Sequence, residues 1–293
     1  MDSPNFPYPH DTDPDVFRES LKHSEAVTGF TAALIEKDYH CSLILQYLFS
    51  EESALVFKGG TCLSKVYVDF TRLSEDLDFV ISVPVDTTRS QRRAAIEPIK
   101  EILEKLPGTV PGVVVSKVLE GHNESRQYIG QLEYPSAIID MAERIKIEIG
   151  LREPLMVSSK SCIARTVATN PFSRQPLLPE FTVNAMAPVE IYAEKFRAAL
   201  TRREPAIRDF FDLFHLVIRK ELNFRDPDFI NMVKSKIRIP GNDPIDISAE
   251  RRLELDRQLQ GQLKPVLRSS DLAWFNLDEA FDIVCTMAEA VSR

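Results

Sequence analysis

Residues 57–82 read FKGGTCLSKVYVDFTRLSEDLDFVIS and carry the strongest pattern in the chain. The apolar run at 54–57 that leads into it predicts a short buried strand. Gly59 and Gly60 predict a turn, and residues 61–68 are able to form a helix. Such a strand, glycine turn and helix allow the backbone to approach a ligand closely, and N–H groups in that position can hold a phosphate.

An acidic pair, Asp76 and Asp78, closes the same stretch and enters a second apolar run at 79–81. Strand side chains alternate with a period of two, so both carboxylates lie on one face of an extended chain. They repel each other unless a cation lies between them, and such oxygen ligands suit a hard divalent cation like Mg²⁺. Alone, an Asp-x-Asp or a Gly-Gly pair is usually an ordinary solvated turn. Their combination favours a site for metal and phosphate.

The composition is that of an ordinary globular protein. At 293 residues the chain is long enough for one large domain or two modest ones. Hydrophobic residues make up 44% and charged residues 27%, which excludes a disordered chain. The formal net charge of −8 argues against a general coat for nucleic acid, although it permits a local basic groove.

Cysteine usage and the apolar runs indicate a cytoplasmic protein. The four cysteines are far apart and match neither a zinc site nor a disulfide framework, so we expect reduced thiols. The acidic, proline-rich start lacks the features of a signal peptide. No run approaches 18 apolar residues, so we expect no membrane span.

The rest of the chain predicts an α+β protein. Strands are predicted at 113–115, 127–134, 144–151 and 161–167, the last within an irregular, proline-containing connection at 153–180. Helices are predicted at 14–50 in two segments, 87–106, 189–201, 206–219, 228–236, 249–260 and 276–292. The change of character after Pro188 divides the chain into 1–185, with N-terminal helices and a sheet core, and a helical domain at 186–293.

Two local features carry their own predictions. A turn is expected at 121–123, between two strands. The helix at 87–106 begins with Arg89, Arg92 and Arg93, which are either a solvated face or a contact for polynucleotide phosphates.

Glu148 lies on the clearest half-buried strand of the chain. Residues 144–151 alternate strictly, with Ile145, Ile147 and Ile149 on one face and Lys146 and Glu148 on the other. Glu148 is either one half of a charge pair with Lys146 or a third carboxylate beside Asp76 and Asp78.

A second charged set lies in the helical part. Asp209 and Asp212 are three residues apart and share a helix face, and Lys195 lies on the preceding helix. These residues form either a structural network of ion pairs or a functional group, in which Lys195 reaches nucleotide phosphates and an aspartate orients it or the nucleophile.

Other types of site are absent from the sequence. The five histidines lack the spacing of metal ligands. No Gly-x-Ser-x-Gly elbow, Walker A motif or Gly-x-Gly-x-x-Gly motif is present.

Taken together, these motifs resemble the AbiEii/AbiGii (MenT-like) nucleotidyltransferase toxin family. The similar segments are KGGT at 58–61 with Ser64 and Lys65, RLSEDLDF at 72–79, IKIEI at 145–149, EKFRA at 194–198, Arg203, and RDFFDL at 208–213. They occur in the order that the family shows. The chain departs from it at Leu73, where Phe is often found, and at Glu148, where Asp is commoner.

The resemblance implies a polymerase-beta-like nucleotidyltransferase fold, an α+β fold with a mixed sheet, N-terminal helices and a helical C-terminal half. It implies a bacterial toxin that transfers nucleotides from an NTP to RNA, at the 3′ end of tRNA, and so inhibits translation. A cognate antitoxin would be the protein partner, and we expect a monomer without a membrane association. The alternatives are nucleotidyl or phosphoryl transfer to a protein hydroxyl, or a GTP-binding interaction protein without turnover.

The resemblance also assigns roles to residues. The catalytic residues would be Asp76, Asp78, Lys195, Asp209 and Asp212. The ligands of Mg²⁺ would be Asp76, Asp78 and Glu148. The residues that bind the NTP substrate would be Gly59, Gly60, Thr61, Ser64, Lys65 and Ser74.

Overall fold

The computed structural model describes residues 8–51, 53–68, 70–219 and 222–293. It is a mixed α+β structure that divides into two compact units. The first unit comprises residues 1–154 and 159–185, and the second comprises residues 155–158 and 186–293.

A seven-stranded mixed sheet forms the centre of the first unit. Its strands are β1 Val56–Lys58, β2 Leu77–Val80, β3 Val114–His122, β4 Gln127–Pro135, β5 Ala142–Gly150, β6 Lys160–Ala164 and β7 Phe181–Ala185. The order across the sheet is β3-β4-β5-β2-β1-β7-β6. The pairs β2–β5 and β1–β7 are parallel, whereas the other neighbours are antiparallel. This order brings β5 next to β2, although about sixty residues separate them in the chain.

Among the described residues of the first unit, five α-helices accompany the sheet. They are α1 Pro9–Thr12, α2 Pro14–Thr28, α3 Ala32–Ser50, α4 Gly59–Cys62, which continues into a π-helical turn at Leu63–Tyr67, and α5 Arg89–Lys105. Local sequence fixes several of their starts. Asp13 and Thr31 cap α2 and α3, and Thr88 forms a capping box with Gln91 at α5. Helix α3 is buried around most of its circumference, which marks it as a core helix.

The second unit is helical. Its helices are α6 Pro188–Thr201, α7 Ile207–Ile218, α8 Pro227–Arg238, α9 Ala249–Gln258, α10 Ser269–Trp274 and α11 Leu277–Ser292. A π-helical turn at Leu259–Leu263 and a 3-10 turn at Lys264–Val266 connect α9 to α10. Buried aromatic side chains of α6 and α7, among them Phe196, Phe210 and Phe211, supply its core.

Most predicted elements are confirmed within one or two residues, but several features differ. Strand β3, predicted at 113–115, extends to His122, and β6, predicted at 161–167, ends at Ala164. The turn predicted at 121–123 lies at 123–126, because Gly121 and His122 still pair with Tyr128 and Gln127. The three residues Asn123, Glu124 and Ser125 adopt positive φ there. Strand β7 and helices α1 and α10 were not predicted. Strand β7 follows the proline-containing connection, and the two helices have only four and six residues.

The basic start of α5 is only in part a solvated face. The Arg92 side chain is buried and donates hydrogen bonds to the carbonyl oxygens of Glu124 and Thr87. Arg92 therefore ties α5 to the β3–β4 turn, which excludes it from contact with polynucleotide phosphates. Arg89 and Arg93 are exposed.

No helix within the described ranges has both the length and the apolar character that a membrane crossing needs.

Candidate active site

Three charged residues form a row across neighbouring strands of the sheet. Lys58 at the end of β1 is the register partner of Asp78 in β2, and Asp78 is the register partner of Glu148 in β5. Register partners project to the same face of a sheet, with Cβ atoms about 5 Å apart. The order of the strands thus places two carboxylates side by side with a lysine next to them.

The Asp78 carboxylate lies against the glycine turn that follows β1. Gly59 has a φ of 76°, a backbone conformation that favours glycine. A Cβ atom at Gly59 would lie 2.5 Å from Oδ2 of Asp78. Both the backbone conformation and the close approach therefore require glycine at this position.

The electrostatic environment raises the pKa of the Asp78 carboxyl to about 6. Burial is the largest cause and the neighbouring negative charge of Glu148 is the second, while Lys58 and Lys146 oppose both. An ionised Asp78 is therefore in an unfavourable environment that a bound cation would relieve.

Glu148 is held by two neighbours. Nε2 of Gln127 donates a hydrogen bond of 2.6 Å to its Oε1, and Nζ of Lys146 lies 3.0 Å from its Oε2. Burial alone would raise the pKa of Glu148, but the Lys146 charge and these hydrogen bonds outweigh it and lower the pKa. Glu148 thus forms the charge pair with Lys146 and also lies next to Asp78.

Asp76 precedes β2 and is anchored through its backbone. Its carbonyl oxygen accepts a hydrogen bond of 2.5 Å from Oγ1 of Thr61, while its side chain is half-buried. The Thr61 hydroxyl therefore joins the helical segment after the glycine turn to the Asp-x-Asp segment.

The donor set suits a hard divalent cation by charge and atom type. The side chains of Asp78 and Glu148 supply adjacent carboxylates that repel each other, and Mg²⁺ prefers such oxygen ligands. Among the described residues, no three His, Cys, Asp or Glu side chains are arranged so that they could hold a metal ion. The metal set Asp76, Asp78 and Glu148 stays a prediction.

The other residues predicted to bind the nucleotide have different environments. Gly60 faces the Arg72 guanidinium so closely that a Cβ atom would collide with it. The Ser64 hydroxyl is buried and donates to the carbonyl oxygen of Thr61 at 3.1 Å. Ser74 is half-buried in the segment before Asp76.

Lys65 is not positioned as a nucleotide ligand. Its ammonium group is fully buried and forms an ion pair of 2.5 Å with Oδ1 of Asp38. It also donates to the Asp38 carbonyl oxygen and to Oγ of Ser42. These three acceptors match the three N–H donors of a lysine, so the structure contradicts the prediction that Lys65 binds the NTP directly.

The second charged set is assembled by helices α6 and α7. Nζ of Lys195 lies 2.7 Å from Oδ1 of Asp209 and 2.8 Å from Oδ2 of Asp212, and all three side chains are close to fully buried. Arg202 reaches the other oxygen of Asp209 at 3.2 Å. Burial alone would raise the pKa of Asp209, but the charges of Lys195 and Arg202 outweigh burial and lower the pKa below its usual value. The aspartates therefore fix the orientation of the lysine, as both interpretations of this set require.

The structure thus gathers the predicted residues in two groups. The sheet unit holds the glycine turn with Asp76, Asp78 and Glu148, whereas the helical unit holds Lys195 with its two aspartates.

Sequence reasoning missed four residues of the first group, namely Asp38, Lys58, Arg72 and Gln127. Lys58 and Arg72 lie inside the quoted motifs, so their positions next to Gly59 and Leu73 were an available signal. Asp38 and Gln127 carry no local signal, because they contact the site through tertiary structure only.

Comparison with known proteins identifies a family. The family model described as "Nucleotidyl transferase AbiEii toxin, Type IV TA system" matches residues 44–283. No curated protein sequence matches the chain.

Two crystal structures of Helicobacter pylori proteins are similar to the chain at 16% identity. One is the protein JHP933, with a TM-score of 0.44 over 96% of this chain and 92% of the other. The second is a protein provisionally described as a nucleotidyltransferase, with a TM-score of 0.43 over 96% and 95%. Because both TM-scores lie below 0.5, these likenesses establish nothing further about the fold.

Proposed function

The chain belongs to the AbiEii family of nucleotidyltransferase toxins of type IV toxin–antitoxin systems, and we propose that it transfers a nucleotide from an NTP to RNA. The proposed acceptor is the 3′ end of tRNA, so that transfer inhibits translation. The observation that carries the proposal is the pair of adjacent carboxylates, Asp78 and Glu148, directly beside the Gly59 turn.

The proposed fold is polymerase-beta-like. It is supported by the succession of a strand, a glycine turn, a helical segment and an antiparallel strand that carries the aspartate. A third acidic residue on the parallel neighbour β5 adds to this support. In such an arrangement, the carboxylates and the backbone of the glycine turn lie close together on the neighbouring central strands β5, β2 and β1.

In the proposed reaction, the 3′-hydroxyl oxygen of the RNA bonds to the α-phosphorus of the NTP. The bond from that phosphorus to the bridging oxygen breaks, pyrophosphate leaves, and the hydroxyl proton passes to solvent. Asp76, Asp78 and Glu148 would hold Mg²⁺, which when bound activates the attacking hydroxyl and stabilises the leaving group. Gly59, Gly60, Thr61, Ser64 and Ser74 would contact the NTP.

Lys195, Asp209 and Asp212 are proposed to act in transfer as one unit. The buried aspartates hold the ammonium group in one orientation, which suits it to neutralise charge that develops on a phosphoryl group. An oriented charge costs little reorganisation when the reaction takes place.

Transfer to RNA is tested with purified protein, Mg²⁺, total tRNA and each labelled NTP in turn. We expect label on RNA with the wild type and with Asp86→Ala, an exposed control in the same unit. We expect none with Asp78→Ala, because the carboxylate beside Gly59 is lost. Equal labelling by Asp78→Ala, or no labelling by the wild type, would contradict the proposal, and label on protein would indicate a protein hydroxyl as acceptor.

Sequencing of RNA 3′ ends after expression of the wild type and of Asp78→Ala identifies the acceptor. A cognate antitoxin, the partner that a type IV system implies, should restore growth when it is expressed together with the toxin.

A further inference from the structure

The helical segment after the glycine turn has an unusual second half. Helix α4 ends at Cys62, and residues Leu63–Tyr67 continue as a π-helical turn. The turn closes with a hydrogen bond from the Val68 N–H to the Leu63 carbonyl oxygen. Single π turns of this kind are rare and occur often at functional sites. Here the π turn carries Lys65.

The side chain of Lys65 ties this turn to helix α3. Its ammonium group donates to Oδ1 and to the backbone oxygen of Asp38, at 2.5 and 3.1 Å, and to Oγ of Ser42 at 2.7 Å. Oδ2 of Asp38 accepts from Oγ1 of Thr166 and from the Val167 N–H, both at 2.9 Å. One buried carboxylate therefore joins the π turn to the segment that follows β6.

The other end of the same segment contacts both aspartates of the proposed site. Thr61 donates to the Asp76 carbonyl oxygen, and Gly59 lies directly against Oδ2 of Asp78. A shift of the segment by about 1 Å would change both contacts, and displacements of that size are costly in active sites. The position of residues 59–67 thus determines the geometry around Asp76 and Asp78.

A buried ion pair is a poor device for stability alone. Removing two charges from water costs several kcal/mol, and a well-packed apolar pair of similar volume often gives equal or greater stability. Both side chains here are at most 2% exposed, so the desolvation cost is close to its maximum. Unlike an apolar pair, an ion pair with hydrogen bonds sets the direction and distance between its two partners. The Asp38–Lys65 pair can therefore fix the position of the π turn relative to α3.

We propose that Asp38 and Lys65 are positioning residues that hold residues 59–67 against Asp76 and Asp78 in the geometry that binds an NTP with its metal. The inference rests on the proposed function, since it takes the NTP as the ligand of this site. Neither residue touches the ligand, and both act through the segment between Gly59 and the π turn.

The test compares the wild type with the double variant Asp38→Asn/Lys65→Met. This variant removes both buried charges together, and its asparagine oxygen can still accept from the Val167 N–H. We expect the dissociation constant for an NTP with Mg²⁺, measured by isothermal titration calorimetry, to rise about tenfold or more. The midpoint of thermal unfolding should stay within a few degrees, because no buried charge loses its partner.

The matched control is the double variant Glu190→Gln/Lys236→Met. It removes an ion pair of 2.6 Å that is equally buried but lies in the helical unit, together with the 3.4 Å contact between Lys236 and Glu194. We expect it to bind the NTP like the wild type, whatever its unfolding temperature. A loss of affinity that merely followed a loss of stability would appear in both double variants.

The proposal is overturned if Asp38→Asn/Lys65→Met folds and binds the NTP as tightly as the wild type. If that variant does not fold, Lys65→Arg takes its place, because the larger planar guanidinium cannot enter the same three-acceptor site without moving the π turn. Unchanged affinity in Lys65→Arg would equally overturn the proposal. A wild type that binds the NTP without transferring it contradicts the proposed function and leaves this inference standing.

Discussion

At the scale of single residues, the environment of Asp78 in the candidate site lowers the stability of the folded chain. Its neighbours across the sheet are one lysine and one carboxylate, and burial with the Glu148 charge raises its pKa to about 6. Near neutral pH the folded protein thus carries a negative charge that its surroundings disfavour. Functional residues in strained environments commonly reduce stability in this way.

The substitution Asp78→Asn is expected to stabilise the protein while it abolishes transfer. An amide removes the charge and its repulsion with Glu148, so the free energy of unfolding at pH 7 should rise by about 1 kcal/mol, discounted for partial exposure. Transfer should fall by about 100-fold or more, because the amide is no anionic ligand. Denaturant titrations and the labelling assay measure the two effects.

The stability difference between Asp78→Asn and the wild type should depend on pH, because the pKa of Asp78 is raised in the folded protein. Because the folded pKa of Asp78 lies above its unfolded value, the cost of ionisation is present above about 6 and disappears as the pH falls towards 4. The advantage of the asparagine variant should shrink over the same range. The exposed Asp86→Asn should show no advantage at either pH, and a destabilised Asp78→Asn would refute the electrostatic account.

At the scale of elements, the unit of strand, glycine turn and helix depends on contacts that no single element contains. The turn brings Gly59 to the Asp78 carboxylate, Thr61 reaches the Asp76 carbonyl, and the π turn directs Lys65 towards α3. The three residues lie within seven positions of the chain, whereas their partners lie in β2, in the segment before β2 and in α3.

Gly59→Ala adds only one methyl group, yet it should disturb this strand, turn and helix strongly. The residue would adopt an unfavourable φ of 76°, and its Cβ atom would lie 2.5 Å from Oδ2 of Asp78. We expect a loss of about 1–3 kcal/mol in the free energy of unfolding, with a loss of transfer as the carboxylate moves away. Chemical denaturation and the labelling assay are the measurements.

The control is Gly108→Ala in the same unit, where a Cβ atom would meet nothing within 4 Å. It should change the unfolding free energy by no more than about 0.5 kcal/mol. Equal behaviour of the two alanine variants would show that the close approach at Gly59 is unimportant.

At the scale of the whole molecule, a short segment distant from the helical unit in sequence belongs to it in structure. The Glu190 carboxylate accepts hydrogen bonds of 2.9 to 3.0 Å from the N–H groups of Met156 and Val157, and it forms an ion pair with Lys236. These contacts account for the membership of residues 155–158 in the second unit, whereas the flanking strands belong to the first.

Glu190→Gln should loosen this segment and the second unit together. The amide replaces the 2.6 Å carboxylate partner of the buried Lys236 and leaves Glu194, at 3.4 Å, as its carboxylate contact, which should cost about 2 kcal/mol. Hydrogen exchange should become faster at Met156 and Val157 and in α6 and α8, while β5 keeps its protection. The exposed Glu250→Gln is the control, and unchanged exchange at residues 156–157 would contradict the assignment.

Much of the fold and half of the site could be predicted because their causes are local. The alternation of Ile145, Ile147 and Ile149 predicts β5 and its buried face, and all three are indeed at most 1% exposed. The glycine turn and Asp-x-Asp also depend on neighbours in the chain, since φ values and the strand period are local properties. Strand β7 escaped prediction because it follows the proline-containing connection at 153–180, where no regular pattern leads into it.

Most of the elements, the position of the glycine turn and the available carboxylates follow from the sequence alone. Which of these residues meet depends on the tertiary structure. The order β5-β2-β1 places Glu148, Asp78 and Lys58 in one row. The packing of α3 makes Lys65, predicted to bind the NTP, a buried partner of Asp38. The physical reason is that side-chain period and turn geometry act over a few residues, whereas strand order and burial depend on contacts between distant parts of the chain.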